Sequence, residues 1–147
     1  MFNKLIVKIR KIETSDSSSI VQLNQELGYK TNLSMVQKHI QHIISENDQY
    51  AYVATIGHKI VGFIHGFIAI RLTGEPFGEI AGLIVSKQFR NQGIGKMLVE
   101  KLEMAINDIQ SIRVRCNSKR ILAHNFYYKM DYELKKEQKI FSKTINS

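Results

Sequence analysis

Apolar and polar positions follow two different periodicities along the chain, one typical of strands and one typical of helices. Alternation with a period of two, or a short apolar run, indicates a strand, whereas apolar residues three and four positions apart indicate a helix. The strands predicted in this way cover residues 5–10, 49–56, 60–70, 78–85, 111–116 and 132–141. The predicted helices cover residues 20–27, 34–44, 94–109 and 121–130. The run 78–85 is apolar almost throughout, which predicts a central strand.

Turn and capping residues set the boundaries of these elements. Residues 16–19 supply N-cap side chains for the first helix, Gly28 ends it, and Ser34 is the predicted N-cap of the second helix. Gly57 and His58 predict a tight turn between two strands, and residues 73–76 predict the next loop. The resulting order, β-α-α-β-β-β-α-β-α-β, predicts an α/β (α+β) sheet that is mixed and covered by helices on both faces.

Length and composition add limits to this picture. The chain has 147 residues, of which 44% are hydrophobic and 23% charged, as expected for one globular domain over 1–147. The longest apolar stretch, 60–70, is well short of the about 20 residues that span a membrane, and the N-terminus lacks the apolar core of a signal peptide. With only Cys116 as a cysteine, we expect a cytoplasmic protein without a membrane partner.

The charge balance favours anionic partners. The chain has 21 Lys and Arg against 13 Asp and Glu, a formal net charge of +8. Such a field attracts nucleic acid, a polyphosphorylated cofactor or an acidic substrate alike. Because the basic residues are spread along the chain, we expect no nucleic-acid partner. The five histidines have no ligand partners at metal spacing, so we expect no metal.

The glycine-rich stretch between a buried strand and the strongest predicted helix is the clearest candidate site. The strand ends at Val85, Arg90 follows, and Gly93 and Gly95 open the helix. Free amides at a helix N-terminus bind anions, and glycines let a phosphate approach the backbone. Two glycines in this pattern also suit a plain strand-to-helix turn. The pattern is neither a P-loop nor a full dinucleotide fingerprint.

Two sequence blocks resemble the GNAT superfamily of N-acetyltransferases. The first block matches the superfamily signature R/Q-x-x-G-x-G/A and reads Arg90-Asn91-Gln92-Gly93-Ile94-Gly95. The second, at residues 123–132, is similar to the segment A-x-x-F-Y-x-K-x-G-F/Y. The resemblance covers residues 78–132. It departs from the superfamily at Asp131, where relatives usually carry glycine, and at 86–88; aspartate still tolerates the left-handed turn expected there.

The resemblance implies a fold, a cofactor and its binding residues. The implied fold is a single domain with a mostly antiparallel sheet of six or seven strands, about four helices and a V-shaped slot for acyl-CoA. The strands that carry Val85 and Ile112 separate to form this slot. The co-substrate would be acetyl-CoA, held by the end of the central strand and by the loop, that is by Leu83, Ile84, Val85, Arg90, Asn91, Gln92, Gly93, Ile94, Gly95 and Lys96.

The resemblance also implies catalytic roles. Tyr127 occupies the superfamily's general-acid position, although a tyrosine at helical spacing also suits core packing. Glu79 corresponds to a general-base position, and strand alternation predicts that Glu79, Ala81, Leu83 and Val85 share one face. The alternatives are a solvent-facing Glu79 and a water chain that replaces a single base.

The implied function is transfer of an acetyl group from acetyl-CoA to a primary amine of a small molecule or a protein. The alternative is a non-catalytic acyl-CoA-binding sensor or interaction module. His65 could face the acceptor pocket or pack in the core. A homodimer through the predicted strand 132–141 is a further expectation by analogy. Acidic residues that could attract a cationic amine are Glu26, Glu46, Asp48 and Glu75.

Overall fold

A computed structural model describes residues 6–106 and 108–146. They form two compact units, one that ends at Arg115 and one that begins at Cys116. The first unit contains the β-sheet and three α-helices, and the second contains one α-helix and the C-terminal segment. The single domain expected over 1–147 stays a prediction.

The sheet has five strands in the sequential order β1-β2-β3-β4-β5. The first three neighbouring pairs are antiparallel, and the β4–β5 pair is parallel. This confirms a mixed, mostly antiparallel sheet, with five strands among the described residues instead of six or seven. The elements are β1 (Lys8–Lys11), α1 (Ser17–Glu26), α2 (Leu33–Ser45), β2 (Gln49–Ile56), β3 (Lys59–Arg71), β4 (Gly74–Val85), α3 (Ile94–Ala105), β5 (Ile112–Val114) and α4 (Ile121–Lys129).

The predicted strand at 132–141 is not present in the structure. Residues 132–146 form neither helix nor strand. A strand needs a neighbour for its backbone hydrogen bonds and burial for its apolar side chains. Leu134, Ile140 and Phe141 are 66%, 83% and 89% exposed, so burial does not stabilise an extended pairing here. The homodimer expected through this segment stays a prediction.

Several boundaries also differ from the sequence prediction. Helix α2 begins before Ser34, because the side chain of Asn32 accepts a hydrogen bond from the Met35 amide at 2.9 Å. Strand β4 begins at Gly74, so the predicted loop at 73–76 shortens to a tight hairpin. Pro76 is tolerated in this strand because β5 pairs with β4 only from Gly78 onward.

Helices cover both faces of the sheet, as predicted. Helices α1 and α2 pack on one face, here called the α1–α2 face, through a core of Ile12, Ile20, Val36, Ile40, Ala51 and Val53. Helix α3 packs on the opposite face, here called the α3 face, through side chains that are fully buried, among them Leu98 and Leu102. Gly62 and Gly66 of β3 lie beneath these two leucines. The absence of side chains at the two glycines lets α3 approach the sheet closely.

An ion pair fixes the start of α1 to the first strand. Two nitrogens of Arg10 donate to the two carboxylate oxygens of Asp16, both at 2.9 Å, and the Glu13 amide donates to Asp16 at 2.8 Å. Burial alone would raise the pKa of Asp16. The bonds from Arg10 and Glu13 and the Arg10 charge outweigh it and hold this pKa below its ordinary value. The carboxylate therefore stays charged in the folded protein and anchors the turn before α1.

We predict that Gly62→Ala destabilises the protein by about 1–3 kcal/mol, as overpacking of a core does. A Cβ at Gly62 would lie 2.8 Å from the backbone oxygen of Ile84 and 3.4 Å from Leu98. Gly82→Ala is the matched control in the adjacent strand, because the nearest atom to its added Cβ is 3.9 Å away. Urea denaturation of both variants measures the difference. Equal midpoints would contradict the prediction.

Candidate active site

One edge of β4 is unpaired at the carboxyl end of the strand. Strand β5 pairs with β4 only from Gly78 to Ile80, opposite residues 112–114. Beyond Ile80 no described strand lies along this edge of β4, although the strand continues to Val85. The two parallel strands thus part after three residues. Backbone amides and carbonyls of 81–85 on this edge are left for a ligand or for water.

A β-bulge at Ala81 marks the point where the strands part. The β3–β4 register steps from His65 opposite Gly82 to Gly66 opposite Ile80, so Ala81 has no partner in β3. Bulges bend a strand and change the direction of its side chains, and they are common beside active sites.

Because of the bulge, the candidate base Glu79 does not lie on the predicted face of the sheet. Glu79 lies opposite Phe67 on the α1–α2 face, whereas Leu83 lies opposite Ile64 on the α3 face. Val85, opposite Gly62, also lies on the α3 face. The prediction that Glu79 shares a face with Leu83 and Val85 is therefore wrong. The extra residue at Ala81 shifts the alternation, and a period of two in the sequence does not reveal which residue is extra.

The loop after β4 leads into α3 through two left-handed residues. Asn91 has φ 62° and Gly93 has φ 81°. Gly93 is the N-cap of α3, and no side chain caps this helix among the described residues. In α2, by contrast, Asn32 supplies that bond. The first amides of α3, at Ile94, Gly95 and Lys96, are therefore free to bind an anion.

Two basic side chains, Arg90 in the loop and Lys96 in the first turn of α3, make different contacts. Arg90 donates from Nε to the backbone oxygen of Val85 at 3.3 Å, so it braces the loop against the end of β4. Lys96 lies 3.8 Å from Glu100, one helical turn further on, and both side chains are exposed. Ile94 is 1% exposed, so only its backbone is available to a ligand.

The candidate base, Glu79, lies next to the end of the unpaired edge. Its side chain is 15% exposed, and its Oε1 accepts a hydrogen bond from Nε of Arg115 at 3.0 Å. Arg113 is its partner in the β4–β5 register. Its Oε2 makes no hydrogen bond with a described residue. Glu79 is therefore held in place by Arg115. The alternative prediction, a solvent-facing Glu79, does not describe this side chain.

The candidate acid, Tyr127, lies in the second unit, on α4. Tyr127 is 9% exposed, and its ring packs edge-on against Phe126 and Tyr132, with centroids 5.0 and 5.5 Å away. Burial raises the pKa of Tyr127 above its ordinary value, the charge of Cys116 adds to the rise, and Arg120 opposes it. The phenol thus keeps its proton throughout the neutral range. Asp131 adopts the expected left-handed conformation, with φ 67°.

His65 and Cys116 are the other titratable groups weighed from the sequence. Nε2 of His65 lies 2.7 Å from Oε1 of Gln49, and burial, with the charge of His39, lowers the pKa of His65. The imidazole is therefore neutral and paired with Gln49, which favours the prediction that His65 packs in the core. Burial raises the pKa of the Cys116 thiol, and Arg120 only partly opposes the rise. That thiol is a poor nucleophile.

The structure reveals a buried carboxylate that sequence reasoning did not single out for this role. Ser86, which is 5% exposed, donates to Oε1 of Glu26 at 3.1 Å, and Oε2 of Glu26 is buried without a partner among the described residues. The pair lines a pocket of about 190 Å³ beside the end of β4, together with Ser19, Gln22, Leu23, Lys59, Ile60 and Gln88. Because the two residues are 60 positions apart in sequence, local patterns give no signal for the contact.

Within the described part of the chain, no group of three or more His, Cys, Asp or Glu side chains is arranged to hold a metal ion. None of the helices in residues 6–106 and 108–146 combines the length and apolar character of a bilayer crossing.

Comparison with known proteins identifies the family. A family model described as an acetyltransferase (GNAT) domain matches residues 47–134. The chain is 30% identical to the uncharacterized N-acetyltransferase CT2212 of Chlorobaculum tepidum over 144 residues, which is 94% of this chain and 85% of the relative. It is 31% identical to the uncharacterized N-acetyltransferase MJ1530 of Methanocaldococcus jannaschii over 134 residues, covering 87% and 79% of the two chains.

Solved structures with the same fold include enzymes and a regulator. The aminoglycoside acetyltransferase AAC(6')-Iy, bound to a CoA bisubstrate analogue, superposes with a TM-score of 0.84 at 13% identity, over 95% of this chain and 99% of that chain. A transcriptional regulator from Bacillus halodurans superposes with a TM-score of 0.83 at 22% identity, over 93% and 99% of the two chains. At these identities the likeness shows the fold alone.

The chain belongs to the GNAT acetyltransferase family. The resemblance read from its two sequence blocks is thereby confirmed, and so is the prediction that it is an N-acetyltransferase. Enzymes of this family take the acetyl group from acetyl-CoA, which confirms the predicted co-substrate.

We predict that Ser86→Ala lowers the free energy of unfolding by about 1–3 kcal/mol, because the buried Glu26 carboxylate loses its hydrogen-bond donor. Ser19→Ala is the control, since Ser19 lines the same pocket but makes no hydrogen bond with Glu26. Chemical denaturation of both variants tests the difference. A Ser86→Ala protein as stable as the Ser19→Ala protein would show that water serves Glu26 equally well.

Proposed function

We propose that this protein transfers the acetyl group of acetyl-CoA directly to a primary amine while both substrates are bound. One observation carries the proposal: the unpaired edge of β4 runs, through a short loop, into a helix whose first amides are uncapped. An extended chain that ends in a diphosphate suits such a surface. Coenzyme A has that form, with a pantetheine arm that carries two amides.

In this proposal the backbone binds most of the cofactor. The strand end at Leu83, Ile84 and Val85 exchanges hydrogen bonds with the pantetheine amides, as an added strand would. The pyrophosphate binds the amides of residues 91–96 at the positive end of the α3 dipole. Arg90 keeps the loop against Val85, which fixes the distance between the two binding surfaces. Lys96 adds positive charge nearby.

The thioester would lie at the closed end of the unpaired edge, near Ile80, where β5 blocks further extension. There the amine nitrogen forms a bond with the thioester carbon, and a tetrahedral oxyanion develops. A free amide of the 81–85 edge would stabilise it. Collapse of this intermediate breaks the carbon–sulfur bond, releases the CoA thiolate and leaves an amide. The amine loses a proton in the course of the attack.

Tyr127 is proposed to give a proton to the departing thiolate. Its burial raises its pKa, so the phenol carries a proton whenever an ordinary thiolate, with a pKa of about 8.5, needs one. Its hydroxyl makes no hydrogen bond with a described residue, which leaves it available. Tight edge-on packing against Phe126 and Tyr132 keeps the ring in one orientation.

Glu79 is proposed to accept the amine proton, directly or through water. Arg115 occupies Oε1, so Oε2 is the oxygen that meets the amine or a bridging water. The position of Glu79 on the α1–α2 face implies that the acceptor approaches from that side of the sheet. A chain of water molecules that takes the place of a single base residue is the alternative.

We predict that Gly93→Ala weakens coenzyme A binding roughly tenfold, because alanine resists a φ of 81° by about 1–2 kcal/mol and shifts the loop. Gly28→Ala is a closely matched control. Gly28 has φ 80°, and neither glycine has an atom within 4 Å of an added Cβ. Both variants should lose similar stability, but only Gly93→Ala should lose affinity in calorimetry. Unchanged affinity in Gly93→Ala would overturn the proposed cofactor site.

We predict that Tyr127→Phe lowers kcat by roughly a hundredfold or more, the usual contribution of a general acid, with the Kd of coenzyme A nearly unchanged. Tyr128→Phe is the control, because the adjacent ring is 51% exposed. Thiol release from acetyl-CoA measures kcat. A Tyr127→Phe enzyme at full rate would assign the proton to another donor. Coenzyme A binding without turnover of any amine would favour the sensor alternative.

A further inference from the structure

Three neighbouring strands place two arginines around one buried phenylalanine. Arg71 ends β3, Phe77 lies in β4, and Arg113 lies in β5. The guanidinium carbons of Arg71 and Arg113 lie 4.6 and 3.9 Å from the centroid of the Phe77 ring. Phe77 is 4% exposed, so the ring is fixed in the fold and in turn fixes both cations by cation–π attraction.

Neither of these arginines has a carboxylate partner among the described residues. The ion pairs of the first unit involve Arg10, Lys96 and Arg115, and Arg115 is bound to Glu79. Glu75, two residues before Phe77, is exposed and takes part in none of the ion pairs among the described residues. Arg71 and Arg113 are themselves exposed. They therefore present two positive charges to solvent, each kept in place by Phe77 and neither paired with a carboxylate of a described residue.

The pair lies beside the proposed point of reaction. Arg113 is the register partner of Glu79, and Phe77 precedes Glu79 by two residues on the same face of β4. The unpaired edge of β4 begins just after Ile80. An amine that reaches Glu79 on the α1–α2 face therefore has the two guanidinium groups within the span of a small molecule.

We propose that Arg71 and Arg113 bind a carboxylate of the acceptor, so that the substrate is a primary amine that also carries a carboxylate. This deepens, and rests on, the proposed acetyl transfer. Guanidinium groups match carboxylates through paired, charge-assisted hydrogen bonds. The acceptor's carboxylate faces Arg71 and Arg113 and its amine faces Glu79. A polycationic aminoglycoside, the ligand type of the AAC(6')-Iy structures, is disfavoured by the same charges.

The test compares amines that differ only by a carboxylate: lysine with cadaverine, and phenylalanine with phenethylamine. The pair that wild-type protein acetylates faster is used. For that pair, kcat/KM should be at least tenfold higher for the amine with the carboxylate, as expected for hydrogen bonds between charged groups. Arg113→Gln and Arg71→Gln should each reduce this ratio about tenfold, mainly through KM. Arg113→Lys keeps the charge but not the planar guanidinium, so its ratio should lie between those of wild type and Arg113→Gln.

Lys101→Gln is the matched control, because Lys101 of α3 is an exposed cation that also lies over a ring, 5.6 Å from the centroid of Tyr52 in β2. It should leave the ratio unchanged. The proposal is overturned if carboxylate-free amines react as well as their partners. It is equally overturned if neither Arg71→Gln nor Arg113→Gln changes the ratio while the melting temperature stays that of wild type.

A binding arm separates this proposal from the proposed function. Calorimetry with protein saturated with free CoA measures the affinity for lysine and for cadaverine without any reaction. A tenfold preference for lysine that Arg113→Gln abolishes supports the carboxylate site even where acetyl-CoA is never consumed; in that case only acetyl transfer fails. Equal affinity for the two amines, together with turnover of any amine, overturns the carboxylate site alone.

Discussion

The unpaired edge of β4 is the constraint on which the rest of this structure depends. A strand edge offers a row of amides and carbonyls, and proteins seldom leave such a row unused because it invites pairing with other chains. Here β5 uses only the first three positions, and the bulge at Ala81 turns the remaining strand away. The edge is therefore kept open by the fold itself. The cofactor proposal interprets it as the surface where a ligand completes the sheet.

Glycines in β3 determine the position of α3, the helix whose N-terminus is the proposed anion site. Gly62 and Gly66 let Leu98 and Leu102 approach the sheet, so α3 packs tightly over β3 and β4. A short loop, with Arg90 as a brace, joins the carboxyl end of β4 to the N-terminus of α3. The core of the first unit and the candidate site therefore depend on the same packing, because the position of α3 on the sheet also fixes the direction of its uncapped N-terminal amides.

Local patterns in the sequence predicted the parts of the site that depend on local chemistry. The glycine loop, the left-handed turn at Asp131 and the amphipathic helix α3 all follow from residues within a few positions of one another. The bulge at Ala81 was missed, because an extra residue shows only in the pairing with β3. The same holds for the Glu26–Ser86 bond, which requires knowledge of which distant segments meet.

The predicted strand at 132–141 shows a different limit of sequence reasoning. The segment was predicted to be extended, but a strand also needs a partner, and its apolar side chains Leu134, Ile140 and Phe141 stay exposed. Arg71, Phe77 and Arg113 illustrate the opposite case. Nothing in their own segments distinguishes them, and only the register of three strands brings them together.

The contrast between buried Phe77 and its exposed arginines has a consequence for how this enzyme can diverge. Surface side chains at strand ends are usually replaced at little cost in stability, whereas buried rings and close-packed glycines are not. If Arg71 and Arg113 bind the acceptor as proposed, their replacement in a descendant chain would change the acceptor within an intact scaffold. In the two proposals, the acceptor's carboxylate is bound from β3 and β5 and the cofactor from the end of β4, so acceptor choice and cofactor binding depend on different strands.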